Sequence, residues 1–183
     1  MGYVDLASYD NSSFSRGASP QKEALWRIIG TLIFRPSFIH MSSLKCNLLR
    51  RFGAVVGKEV NIKPNVKITF PWRLEIGDHS WVGEGVWIDN LVPVTIGAHC
   101  CLSQGVYVCT GSHDWSSTSF DLVLKPVLIM DGVWLAAKSI VGPGVTAGEG
   151  AVLALGSVAT QDLRAGWIHQ GNPASQLRER SSQ

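Results

Sequence analysis

The chain is short of charge. Asp, Glu, Lys and Arg make up 16% of its 183 residues, against a usual quarter, and leave a formal net charge of +2. A balance so near neutral gives no electrostatic footprint for nucleic acid, and none is expected as a partner. The short basic clusters at Arg50-Arg51 and Arg178 to Arg180 read as solvated surface. Cysteine is scarce too: Cys46, Cys100, Cys101 and Cys109 form no CxxC pair. That argues against a disulfide framework and points to a reducing compartment. Long apolar runs are missing. The most apolar early stretch, Ala24 to Phe34, is interrupted by Arg27 and is too short to span a bilayer. The opening MGYVDLASYDNSSF lacks the apolar core of a signal peptide, so a cytoplasmic protein is expected. Disorder is excluded by the 45% apolar content, which implies one sizeable core.

What the chain has in quantity is glycine, 19 of them, falling mostly after residue 50 at short spacing. From Val56 onward the sequence scans in sixes: VGKEVN, IKPNVK, ITFPWR; IGDHSW, VGEGVW, IDNLVP; IGAHCC, LSQGVY, VCTGSH; then IMDGVW, LAAKSI, VGPGVT, AGEGAV, LALGSV and ATQDLR. The first position of all fifteen hexads is apolar. Every interruption follows a third hexad: Leu74-Glu75, Val94-Thr95, and the fifteen residues 114–128. This spacing predicts a triangular coil of eighteen residues, three short strands per coil, with extra residues admitted at one corner only. Each first-position side chain enters the prism, where burial contributes roughly 1.5–3 kcal/mol. Fifth positions such as Val60, Ser80, Cys100, Ser112 and Ser139 are mostly small, as a sharp corner requires. An ordinary β-sandwich would instead show period-two alternation and longer strands.

The hexads resemble the [LIV]-[GAED]-x-x-[STAV]-x repeat of the hexapeptide acyltransferases. The likeness extends to the leader (Tyr9 to Ser12, Lys22 to Trp26, Leu48 to Gly53). It extends also to IGDHSWVGEGVWID, SQGVYVCTGSHDW, GVWLAAKSIVGPGV and GNPA (Gly171 to Ala174). In these parts the chain is most similar to the colanic-acid-type exopolysaccharide O-acetyltransferases. The resemblance implies a mainly β fold, a left-handed parallel β-helix with an N-terminal helical cap and a C-terminal tail. That hand runs against the usual crossover preference, and only the resemblance supplies it. The expected parts are a leader and cap over 1–55, the β-helix over 56–163 with its insertion at 114–128, and a tail over 164–183. The resemblance also implies a homotrimer with a site in each cleft between prisms, acetyl-CoA as acyl donor, a sugar or polysaccharide-precursor acceptor, and no required metal.

His113 closes the ninth hexad where the long insertion starts, and by the resemblance it is the catalytic base. Neutral imidazole can remove a sugar hydroxyl's proton as it attacks a thioester, worth typically 10²–10⁴-fold. Its second nitrogen needs a partner: Asp114, a backbone carbonyl or a distant carboxylate all remain open. Cys109, in a slot commonly given to small residues, is the covalent alternative to direct transfer. Asp89, Asn90 and Trp115 are the acceptor-binding candidates, with Trp87 a further sugar-stacking aromatic. The resemblance assigns Trp134, Ala136, Ala137, Leu155, Thr160 and Arg178 to CoA. Two departures weaken that match: Leu155 stands where a small residue is usual, and Gln161 replaces a common Lys, leaving Lys138 and Arg178 as cations. His79 and His99 share the fourth hexad position and should stack one layer apart. A metal reading needs a third histidine with a close-spaced pair, so a solvated turn is preferred. His40 and His169 suggest no chemistry. The alternatives to O-acetylation are N-acylation of an amino sugar and a non-catalytic or metal-binding scaffold.

In the leader, Ser19-Pro20 opens a helix with Leu25, Trp26, Ile29, Leu32 and Ile33 expected on one face. Arg35-Pro36 ends it, and a second helix is expected over about Leu44 to Phe52. Capping the first coil is the preferred role. Peripheral membrane contact through the first helix is the alternative.

Overall fold

A computed structural model describes residues 3–181. Short strands lie on three faces. The first face stacks Val55–Val56, Leu74–Ile76, Val94–Ile96, Val127–Ile129 and Thr146–Ala147. The second stacks Asn61–Ile62, Trp81–Val82, Cys101–Leu102, Trp134–Leu135 and Val152–Leu153. The third stacks Lys67–Ile68, Trp87–Asp89, Tyr107–Cys109, Ile140–Val141 and Val158–Ala159. Neighbours within each face pair in parallel, and the chain winds as a left-handed prism of about six turns. All fifteen first-position residues are buried: Val56 and Ile68, in the lowest coil, are 8% exposed and the rest 2% or less. The hexad register is therefore the inside-outside register of the fold.

The corners explain where extra residues can enter. At the first corner Glu59, His79, His99, Gly132 and Gly150 have φ of 54–68°, and at the second Asn65, Gly85, Gly105, Lys138 and Gly156 have φ of 58–70°. Each turn is thus fixed in the left-handed region at the fourth hexad position. The third corner has such a residue only at Gly144 (φ 82°). In the first three coils it is held instead by buried polar side chains. Asn90 accepts from the Phe70 N–H at 2.9 Å and donates to the Phe70 carbonyl at 2.6 Å. Thr110 Oγ1 donates to the Asp89 carbonyl at 2.8 Å. A corner tied by side chains tolerates different loop lengths, because no two-residue turn has to be preserved.

Two helices close the bottom of the prism, α1 (Pro20–Phe34) and α2 (Ser42–Arg51). Ser19 Oγ caps α1 by accepting from the Lys22 N–H at 3.3 Å. The face of α1 that packs is the expected one in part: Trp26 is buried and Ile29 and Ile33 pack against the core beside Gly30, Phe34 and Glu23, while Leu25 and Leu32 point outward. The Trp26 indole fixes this rotation by donating to the Ile68 carbonyl at 2.9 Å. From α2, buried Lys45 donates to the Ile62 and Lys63 carbonyls at 3.2 and 2.9 Å, satisfying backbone groups at the end of the first coil. Burial holds its amine below the ordinary lysine range.

The residues expected as a tail form an ordered hairpin of Trp167–Gly171 and Ala174–Glu179. Ile168 and His169 add a rung above Val152 and Leu153 on the second face. The Arg180 guanidinium staples the hairpin to the first corner through the Gly132 and Gly150 carbonyls, at 2.9 and 3.0 Å. Among the described residues no helix is long and apolar enough to cross a membrane.

Candidate active site

The chain leaves the prism three residues earlier than the hexads suggest. Gly111–His113 already pairs antiparallel with Leu122–Leu124, so His113 stands on a two-stranded arm and not on the last rung of the coil. At Gly111 the exiting chain passes close over Leu91, whose Cδ1 would lie 2.9 Å from a Cβ there. Ser112, placed by its hexad at a buried corner, is exposed for the same reason.

The arm holds the imidazole firmly. His113 Nδ1 is 2.8 Å from the Phe120 carbonyl, and the two rings stack with centroids 4.2 Å apart and planes within 1°. Tyr9, from the leader, packs edge-on against the imidazole at 5.5 Å. A carbonyl oxygen can only accept, so Nδ1 carries the proton and Nε2 of the neutral ring keeps its lone pair. Asp114 does not orient the ring. Its carboxylate accepts from the Ser116 hydroxyl and N–H, which hold it below the usual carboxylate range. Phe120 reaches its position with a left-handed backbone, φ 53°. The leader braces the arm further through the Asp5 N–H, which donates to the Thr118 carbonyl at 2.8 Å, and is itself tied to the first coil by the Trp72 indole, which donates to the Arg16 carbonyl at 2.8 Å.

His113 opens on a cavity of about 500 Å³ whose walls include Ser112, Trp115, Lys125, Pro143 and Thr160. Thr160, expected among the CoA contacts, thus shares a cavity with the expected base. Lys125 and Tyr9 escaped the sequence reading. The signal for Lys125 was available, because it is the one basic residue of the insertion and stands just before Pro126. Nothing in the local sequence foretells the approach of Tyr9.

The other expected residues divide by face. Asp89 pairs with Cys109 on the third face, accepts from Thr69 Oγ1 at 2.8 Å and lies 3.4 Å from the Tyr107 hydroxyl. Burial, with Cys109 and Asp89 beside it, pushes the Tyr107 phenol above its usual range. The Cys109 thiol donates to the Gly111 carbonyl at 3.1 Å. Asn90 is fully buried with both amide ends on Phe70, so it has no polar group to offer a substrate; it is a corner tie. Trp87 packs on Tyr107 with centroids 4.8 Å apart, under Lys67. Trp134 is on the second face, where its indole donates to Ser103 Oγ at 3.0 Å. Ala136 lies two residues on, and Ala137 stacks at the second corner beneath Leu155 and Gly156, whose N–H donates to the Ala137 carbonyl. Arg178 is exposed on the C-terminal hairpin opposite Ile168. His113 and Thr160 are therefore at the third corner, while Trp134, Ala136, Ala137 and Leu155 lie across the third face from them. The His79 and His99 rings stack 5.0 Å apart at the first corner, and no group of three metal-ligating side chains forms among the described residues.

No family model matches the chain. It is 42% identical over 176 residues to a putative colanic acid biosynthesis acetyltransferase of Escherichia coli K12, covering 96% of this chain and 97% of that one. It is 24% identical to the galactoside O-acetyltransferase of the same organism over 81% of this chain and 76% of the relative. Among solved structures, a hexapeptide-repeat acetyltransferase from Vibrio cholerae complexed with acetyl-CoA superposes with a TM-score of 0.79. It is 28% identical and covers 91% of this chain and 92% of that one.

Proposed function

The chain belongs to the hexapeptide-repeat acetyltransferases, and from that premise we propose that it moves an acetyl group from acetyl-CoA to a hydroxyl of a sugar in a polysaccharide or its precursor, with His113 as general base. The observation that carries the reading is the Nδ1–Phe120 carbonyl bond of 2.8 Å at the lip of the cavity. It fixes the tautomer that leaves Nε2 free to take a proton. Nε2 removes the hydroxyl proton as the oxygen attacks the thioester carbonyl. When the carbon–sulfur bond breaks, the imidazolium returns that proton to the CoA thiolate. The name of the 42%-identical relative supports a polysaccharide precursor as acceptor. Asp89 and Trp115 are the acceptor contacts in this reading, and Lys125 supplies a cation at the same cavity.

For the donor, the acetyl-CoA held by the Vibrio cholerae neighbour supports the same cofactor here. Trp134, Ala136, Ala137, Leu155, Thr160 and Arg178 are its proposed contacts. In one prism Thr160 alone of these shares the His113 cavity. This separation supports a homotrimer in which the third corner of one copy faces the second face of another, with acetyl-CoA between them.

The deciding experiment is steady-state transfer from acetyl-CoA to a panel of hydroxyl and amino sugars. His113→Ala should cut turnover at least about a hundredfold while the oligomer stays intact. Near-normal turnover of that variant overturns the role of His113, and transfer to amino sugars alone overturns O-acetylation.

A further inference from the structure

The outer side of α1 has no partner within the chain. Leu25, Ile28 and Leu32 recur at helical spacing and are 50%, 61% and 63% exposed. Beyond the helix, Phe38 and Met41 add 81% and 62% exposed apolar side chains. They lie off the packed side of the helix, where Trp26, Gly30 and Phe34 are buried with Ile29 and Ile33 beside them. Exposed apolar side chains repeated along one side of a helix mark a contact with something less polar than water.

The charges indicate what that is. Residues 20–73, the two helices and the first coil they cover, hold ten of the sixteen Lys and Arg but two of the fourteen Asp and Glu. One of those two, Glu23, is buried and paired with Arg16 and Arg27. The net charge of this end is +8, and that of the rest of the chain is −6. The near-neutral total conceals a molecule polarised along the prism axis. Arg27 and Arg35 flank the apolar stripe and are exposed, as is Arg51 at the end of α2. Apolar side chains rimmed by cations fit the boundary between headgroups and acyl chains of an anionic bilayer. A protein partner would have to be acidic over the same breadth. A second copy of this end would set +8 against +8.

We propose that the helical base of the prism is a docking surface for anionic membrane lipid, with Ile28 and Leu32 entering the interface and the surrounding cations drawn to the headgroups. The proposal does not rest on the acetyl-transfer reading. It is tested by sedimenting the full chain with vesicles of phosphatidylcholine alone, and of phosphatidylcholine with phosphatidylglycerol. Binding to the anionic vesicles should be at least about tenfold stronger at low ionic strength and should fall steeply with added salt. An Ile28→Gln/Leu32→Gln variant should lose about tenfold in partition to the anionic vesicles. An Arg35→Gln/Arg51→Gln variant should lose most of the preference for the anionic ones. Both should acetylate a soluble acceptor as the parent does, which separates this result from any failure of the proposed chemistry. Three results overturn the proposal: no preference for anionic vesicles, unchanged partition of both variants, or a smaller oligomer of Ile28→Gln/Leu32→Gln by light scattering. The last would assign the face to another copy of the chain.

Discussion

A base in a transferase needs one nitrogen with a free lone pair and a ring that does not swing. At His113, the proposed base, the first need is met by a backbone carbonyl and the second by Phe120 stacked on the ring face, with Tyr9 against its edge. A carbonyl cannot be protonated or removed by side-chain mutation, so the tautomer is written into the fold of the arm. Two substitutions separate these effects in turnover assays. Asp114→Asn should leave turnover within about threefold, because the exposed carboxylate caps Ser116 and makes no bond to the ring. Phe120→Ala should lower turnover about tenfold with CoA affinity unchanged, since the imidazole loses its stacking partner and reaches the productive pose less often. The sequence left three partners open for Nδ1. The choice could not be read there, because it depends on Phe120 taking a left-handed backbone seven residues away.

Among the elements, the coils were legible and the ends were not. Fifteen buried first positions follow from a periodic pattern, and pattern is what a sequence displays. The caps depend on singular contacts. Trp26 sets the rotation of α1 through one hydrogen bond to Ile68, which keeps Ile29 and Ile33 on the packed side as expected but turns Leu25 and Leu32 outward. Asn90 looked like a substrate ligand because the fold's habit of tying the third corner with a buried amide leaves no mark in the local sequence. His169, without evident chemistry as a residue of the tail, sits inward on the top rung above Leu153. Its Nε2 accepts from the Arg164 N–H at 3.2 Å, and its buried Nδ1 has no partner. Burial holds this imidazole neutral, with its pKa below the ordinary histidine value. The unfolded chain takes up the proton first as pH falls. The stability His169 contributes is therefore complete above about pH 6.5 and lost as pH drops through the lower folded value. Thermal unfolding at successive pH values should show Tm declining in that window, and His169→Gln should flatten the decline while the Gln oxygen still serves Arg164.

At the scale of the whole molecule, the proposed chemistry needs two edges that one prism keeps apart. Hybrids give a direct test. His113→Ala and Ala137→Trp should each be nearly inactive alone, the second by blocking the proposed donor groove beside the half-buried Ala137. Subunits of the two mixed at random should recover about a quarter of the parent activity, the fraction of clefts drawing an intact edge from each neighbour. Recovery would mean a site shared between copies; no recovery would mean each chain carries its own.

The stacked coils also make the prism a spacer. Adjacent rungs are ~4.8 Å apart, and the arm bearing His113 departs from the third coil, so it stands ~10 Å above the first. A layer of helix adds ~10 Å more below. The height of the His113 imidazole over the helical floor is thereby set in discrete steps by a count of coils. Excising residues 74–93, one coil with its two-residue insertion, would lower the arm by a single step of ~5 Å. Wherever the floor rests, the fold sets how far an acceptor must extend to be reached.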